Sequence, residues 1–211
     1  MNVLERMRQA IIDGNAEQAK AEVRQAIVEG LPPARILTDG MISAMSEVGR
    51  RFQANEFFVP EMLVAARAMK MGLEILRPKL AEAKVQPVGK VVIGTVKGDL
   101  HDIGKNLVCM MLEGAGFEVI DVGIDVAPEK YVEAVRQHKP NLVGFSALLT
   151  TTMPMIKASI DALEAAGLRN TVKIMAGGAP LTATYVKQVG GDIYAPDASS
   201  AATAARAAMG K

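Results

Sequence analysis

The chain has no tryptophan, and aromatic residues make up only 4% of its 211 residues, which leaves few surfaces on which nucleobases could stack. Lys and Arg number 24 against 23 Asp and Glu, so a formal net charge of +1 provides no field to draw in nucleic acid or an anionic membrane. Cys109 is the only cysteine, which excludes an internal disulfide and any cysteine-rich zinc site. Its apolar setting, Leu107-Val-Cys109-Met-Met-Leu112, predicts a thiol packed in the core. No apolar run approaches the roughly eighteen residues of a membrane span, and Met1-Asn-Val-Leu-Glu-Arg-Met-Arg8 lacks the apolar centre of a signal peptide. A cytoplasmic protein with neither membrane nor nucleic acid as partner is expected.

What is present is an ordinary folding composition, 50% apolar and 22% charged, at a length that allows one large domain or two small ones. Residues 1–84 carry helical periodicity. Leu4, Met7, Ile11 and Ile12 share one face of a first helix, and Asn15 with Gln18 suggests a capping box for a second. Pro32-Pro33 opens a third helix with Ile36, Met41, Met45 and Val48 inward, and a fourth runs from Pro60 toward Pro78. Four helices with short connections predict a small bundle. Residues 85–89 read as a linker. From 90 onward apolar strands alternate with helices: strands at 90–95, 117–121, 141–146, 172–176 and 192–195, each followed by a helix. The pattern predicts an α/β domain over 90–211, a doubly wound parallel sheet of flavodoxin-like order 2-1-3-4-5.

That order brings three loops together at the carboxyl edge of the sheet, where open α/β folds bind ligands. The first holds Asp99-Leu-His101-Asp102-Ile103-Gly104, with one of only two histidines. The i, i+2 spacing lets Asp99 reach back to the imidazole, fix its tautomer and leave Nε2 free as a base or metal ligand. The second holds Ser146-Ala-Leu148-Leu-Thr150-Thr-Thr152, and the third Gly177-Gly178. Small residues at all three ends point to a bulky group lying against the backbone. The hydroxyls are also compatible with capping the next helix, and an Asp-His pair in such a loop is compatible with a purely structural role. A phosphate-acceptor receiver domain is disfavoured by Ser146 where an aspartate is wanted, and the glycine spacings of mononucleotide and dinucleotide loops are absent.

Together, Asp99-x-His101-x-x-Gly104, Ser146-x-Leu148 after forty-one intervening residues and Gly177-Gly178 after twenty-eight more are similar to the cobalamin-binding signature of corrinoid proteins and of cobalamin-dependent methionine synthase. Residues Val48-Gly49-x-x-Phe52, Phe58-Val59-Pro60 and Met62-Leu63 resemble the helical cap of the same proteins. The resemblance implies a cobalamin or related corrinoid bound base-off, with His101 replacing the cofactor's own base beneath cobalt. Asp99 would tune His101, with Thr152 as its hydroxyl partner where methionine synthase has serine. Asp102, Ile103, Gly104 and Thr150 would lie along the cofactor, and Ser146, Leu148, Gly177 and Gly178 would line a slot for its nucleotide tail. Phe52, Val59, Met62 and Leu63 would shield the upper face.

The function so implied is carriage of a methyl group on cobalt between a substrate-specific methyltransferase and a second methyltransferase acting on tetrahydrofolate or a thiol such as coenzyme M, with a reductive activating protein as a further partner. With no room for a barrel active site, the chain alone is not expected to turn over. The alternatives are the small cobalamin subunit of an adenosylcobalamin-dependent mutase, which would not need the helical part, and a cobalamin-dependent sensor, for which no output module is evident.

Overall fold

The computed structural model describes residues 1–210. The backbone separates into two compact units, residues 1–87 with 113–116, and residues 88–112 with 117 onward.

In the helical unit, α1 (Val3–Ile12) starts at a full capping box: the Asn2 side chain accepts from the Glu5 amide, and the Glu5 carboxylate accepts from the Asn2 amide, both at 2.9 Å. The box expected at α2 (Ala16–Val28) is only half formed. Asn15 Oδ1 accepts from the Gln18 amide at 3.1 Å, but the Gln18 side chain meets the Asn15 side chain and not its amide. The third helix is not regular: one turn, α3 (Pro33–Arg35), widens into a π-helical segment (Ile36–Ile42) before α4 (Ser43–Gln53). The fourth helix, α5 (Val59–Glu82), runs through Pro78. The carbonyl of Glu74 loses its helical partner there, but both residues are on the exposed face.

Five methionines lie in this interior beside alanines and branched aliphatics. Met7, Met41, Met45, Met62 and Met69 are each no more than 2% exposed. Two helical glycines make room for them: a Cβ at Gly40 would lie 2.7 Å from Met7 Sδ, and one at Gly72 would lie 3.1 Å from Met41 Cε.

The second unit is a five-stranded sheet of order β2-β1-β3-β4-β5, parallel throughout, as the sequence pattern predicts. Its elements in chain order are β1 (Lys90–Thr95), α6 (Ile103–Gly114), β2 (Glu118–Asp121), α7 (Pro128–His138), β3 (Leu142–Ser146), α8 (Pro154–Ala165), β4 (Lys173–Gly177), α9 (Ala183–Gln188), β5 (Ile193–Tyr194) and α10 (Ala198–Ala208). β1, β3 and β4 are covered on both faces, which is why their sequences are continuous apolar runs, whereas the edge strands β2 and β5 are short and only partly buried. Val92, Val143, Phe145 and Ile174 pack against Tyr131, Ile156 and Leu163 beneath the sheet. Cys109, expected in the core, is only half-buried.

The register matters most for function. Thr95 pairs with Ser146 and Ser146 with Gly177 across three adjacent strands. The three loops that follow therefore leave the sheet from one line.

Candidate functional site

The first loop is built around a buried carboxylate. Asp99 is 0% exposed, and each of its oxygens faces a different loop. Oδ1 accepts from the His101 amide at 3.0 Å and lies 2.8 Å from His101 Nδ1. Oδ2 accepts from the amides of Leu148 at 2.7 Å and Leu149 at 3.3 Å, and from the Thr152 hydroxyl at 2.8 Å. Burial alone would raise the Asp99 carboxyl, but the bonds from the Leu148 and His101 amides, the His101 ring and the Thr152 hydroxyl outweigh it and hold the group well below the usual carboxylate range. Asp99 is thus an anion that accepts from Nδ1, which assigns the remaining lone pair of the neutral ring to Nε2.

The backbone of the loop is fixed as well. Thr95 Oγ1 donates to the His101 carbonyl at 2.9 Å. Gly98 takes a φ of 81°, open to glycine without strain, so that the chain turns directly after β1. The imidazole itself is half exposed, at 51% of its side chain. A ring held at Nδ1 by a buried anion and open at its other nitrogen is a pre-oriented ligand or base.

The other expected residues fall into place unevenly. Asp102 does not touch the imidazole. Its carboxylate accepts from the Asn106 side chain at 3.1 Å, within the first turn of α6. Thr152 is buried on Asp99 and does not cap α8, which has no side-chain cap. Thr150 is exposed, and Ser146 is half-buried at the end of β3. Gly104 has open space where a Cβ would stand. Gly177 and Gly178 are demanded by the protein's own backbone: a Cβ at 177 would lie 2.6 Å from the Ala195 carbonyl oxygen, and one at 178 would lie 1.9 Å from that of Ala147.

Leu100, Ile103, Ile124, Leu148 and Leu149 are the large apolar side chains that this unit exposes among the described residues. All lie on loops at the carboxyl end of β1, β2 or β3 or at the start of α6, so the imidazole stands among apolar side chains open to a ligand. In the helical unit Phe58, Val59, Leu63 and Val64 are exposed, Phe52 is half-buried and Met62 is interior.

Some site residues had not been singled out from sequence. Lys105 is buried in α6, with Nζ on the Asp121 carboxylate and 2.9 Å from Asn106 Oδ1. The signal for it was a lysine at i, i+3, i+4 and i+7 spacing with Val108, Cys109 and Leu112, a position an amphipathic helix reserves for apolar residues. Thr95 and Asp125 had no such signal.

A parallel α/β unit that presents a carboxylate-held imidazole among exposed apolar side chains at its carboxyl edge has the form of a ligand-binding protein for a large, partly apolar group. The chain belongs to the B12-binding protein family: residues 89–205 match one B12 binding domain, and residues 3–77 match a second B12 binding domain. It is 40% identical over 209 residues to trimethylamine corrinoid protein 2 of Methanosarcina acetivorans, covering 98% of this chain and 96% of that protein. To dimethylamine corrinoid protein 1 of the same organism it is 40% identical over 205 residues, 97% of this chain and 96% of the relative. In structure it is similar to a chain of the methanol:cobalamin methyltransferase complex of Methanosarcina barkeri, with a TM-score of 0.88 at 30% identity over 99% of this chain and 80% of that one.

The residues present fit a corrinoid. Among the described residues no three His, Cys, Asp or Glu side chains converge as a metal-ligand set. The positive features are the half-exposed imidazole held at Nδ1 by Asp99 and the exposed apolar side chains around it, which suit a large macrocycle that carries its own cobalt donors.

Proposed function

We propose that this chain is a methyl carrier, binding a corrinoid base-off with His101 Nε2 on cobalt and serving two methyltransferases in turn. When bound, the corrinoid supplies a cobalt centre able to accept and release a methyl group. The observation that carries the reading is the Asp99–His101 pair: a buried anion holds Nδ1 at 2.8 Å while the rest of the ring stays open.

Each residue then has a task. Asp99 orients the imidazole and raises its donor strength, and Thr152 steadies the carboxylate from the opposite side. Leu148, tied to Asp99 through its amide, is assigned with Ser146, Gly177 and Gly178 to the nucleotide tail, and Asp102, Ile103, Gly104 and Thr150 to the cofactor's margin. Val59 and Leu63, exposed in the helical unit, and Phe52 are assigned to exclude water from the reacting face. Met62, expected beside them, is buried in the helical interior and is not exposed to a ligand. Such a cover also has to yield, because a methyl donor must reach the metal.

The relatives named for trimethylamine and for dimethylamine are equally similar to this chain, which makes methylated amines the donor class we put forward. The partners are then an amine-specific methyltransferase, a second methyltransferase passing the group to a thiol or tetrahydrofolate, and a reductive activating protein, all in the cytoplasm.

The test is electron paramagnetic resonance of the full chain loaded with cob(II)alamin. Wild type is expected to show nitrogen splitting from one axial imidazole, His101→Ala to lose it, and methylcobalamin to bind more tightly than adenosylcobalamin. Splitting that survives His101→Ala would remove the ligand assignment, and preference for adenosylcobalamin would favour a mutase subunit or sensor.

A further inference from the structure

Asp125 lies in the turn between β2 and α7 with a φ of 51°. Residues with a Cβ rarely take this conformation, and Asp and Asn are among the few that tolerate it. Two bonds to the His101 loop hold it there. Asp125 Oδ1 accepts from the Gly98 amide at 2.7 Å, and the Asp125 amide donates to the Asp99 carbonyl at 3.0 Å. The next residue extends the contact: the Val126 amide donates to the Thr95 carbonyl at 3.0 Å, and Val126 forms a parallel bridge with Val96.

Asp99 is therefore fixed from two sides. The β3–α8 loop holds its side chain through Leu148 and Thr152, and the β2–α7 turn holds its backbone and that of Gly98 through Asp125. Gly98 is itself in the left-handed region, where the chain has the widest freedom to pivot. Without an acceptor on its amide, that pivot would carry Asp99 and the imidazole with it.

We propose that Asp125 is a positioning residue for His101: its carboxylate, acting through Gly98 and Asp99, sets the direction in which the imidazole offers Nε2 to cobalt. This rests on the assignment of His101 as the cobalt ligand. It adds a second loop to the device that aims the ligand, on the side of the sheet away from the glycine pair.

The informative substitution is Asp125→Gly, because glycine takes the same φ without strain, keeps the amide bond to Asp99 and removes only the carboxylate. Asp125→Asn restores the acceptor oxygen without the charge. In the full chain without cofactor, Asp125→Gly should speed hydrogen exchange at the Gly98 amide about fivefold, the size expected for one exposed hydrogen bond. Amides of β3 should be unmoved, and Asp125→Asn should return Gly98 to near the wild-type rate. With cob(II)alamin bound, the fraction of protein showing imidazole nitrogen splitting should fall in Asp125→Gly and recover in Asp125→Asn. An unchanged split fraction in Asp125→Gly overturns the proposal, whether or not Gly98 exchanges faster, as does equal acceleration of the β3 amides, which would mark a general loss of stability. Absence of nitrogen splitting in the wild type would instead defeat the ligand assignment itself, and this proposal with it.

Discussion

The hydroxyl of Thr152 lies 2.8 Å from Asp99 Oδ2 and 2.9 Å from the carbonyl oxygen of Leu149, so one proton serves a buried carboxylate and an amide oxygen in turn. The methyl group of the same side chain lies 3.6 Å from where a Cβ on Gly98 would stand. Thr152→Val keeps the volume and removes the proton. It should lower stability by about 1–3 kcal/mol, as expected when a charged acceptor loses a buried donor, and Thr152→Ser should fall within about 1 kcal/mol of wild type. Urea denaturation of the three proteins checks this. A serine variant weaker than the valine variant would show that the methyl group, not the hydroxyl, matters.

Asp99→Asn should be costlier. An amide turned to accept from His101 Nδ1 presents its own N–H groups to the donors on Leu148 and Thr152. A loss of about 3 kcal/mol near neutral pH is expected. Because the folded state depresses the Asp99 carboxyl, its contribution is complete above the unfolded value, near 4, and is lost as pH falls through the folded one. The difference in urea midpoint between wild type and Asp99→Asn should therefore narrow below about pH 4, as the wild-type carboxylate takes up its proton. A gap that stays constant down to about pH 2 would contradict the geometry.

Lys105 and Asp121 form an asymmetric pair, since the lysine side chain is 2% exposed and the aspartate 39%. Asp121→Asn strands a buried cation and should cost about 2–3 kcal/mol, less than for a fully buried pair because water reaches the aspartate side. Lys105→Met leaves a carboxylate that can turn to solvent and should cost less. Denaturant titration of both variants reads the order directly.

Three glycines at the site should behave in opposite ways. Gly178→Ala combines a φ of 140° with a Cβ 1.9 Å from the Ala147 carbonyl oxygen, and should prevent the loop from closing, with a loss above about 3 kcal/mol or failure to fold. Gly177→Ala meets the Ala195 carbonyl oxygen and should resemble it. Gly104→Ala meets nothing and stands in the first turn of α6, where alanine should be neutral or add up to about 1 kcal/mol. Weakened corrinoid binding in a Gly104→Ala protein of normal melting temperature would locate the cofactor's edge.

Much of this site is legible in the amino-acid sequence. The i, i+2 spacing of Asp99 and His101 leaves little choice of geometry in a turn, and continuous apolar runs such as Val91 to Ile93 announce central parallel strands. Tertiary facts stayed hidden. Nothing local predicts that Asp125 takes a left-handed φ, because the bonds that hold it come from residues 98 and 99. The paired glycines suggested a ligand against the chain, yet they are required by the carbonyls of Ala147 and Ala195, which belong to loops distant in sequence. Pro78 reads as a helix stop, but its exposed position lets α5 continue to Glu82. The apolar run around Cys109 does not say which of its faces is covered.

The five buried methionines of the helical unit give its interior a mechanical character. Leucine or isoleucine locks neighbouring helices into a few discrete fits, whereas an unbranched thioether with three rotatable bonds can follow a small sliding or tilting of its helix with little loss of contact. Met7 and Met41 fill the space that a side chain at Gly40 or Gly72 would occupy, so two of these soft side chains lie directly against helix backbone. Set among branched residues such as Ile11, Ile36 and Leu76, the methionines are compliant points in an otherwise stiff interior, places where a helix can shift by a fraction of an ångström without opening a void.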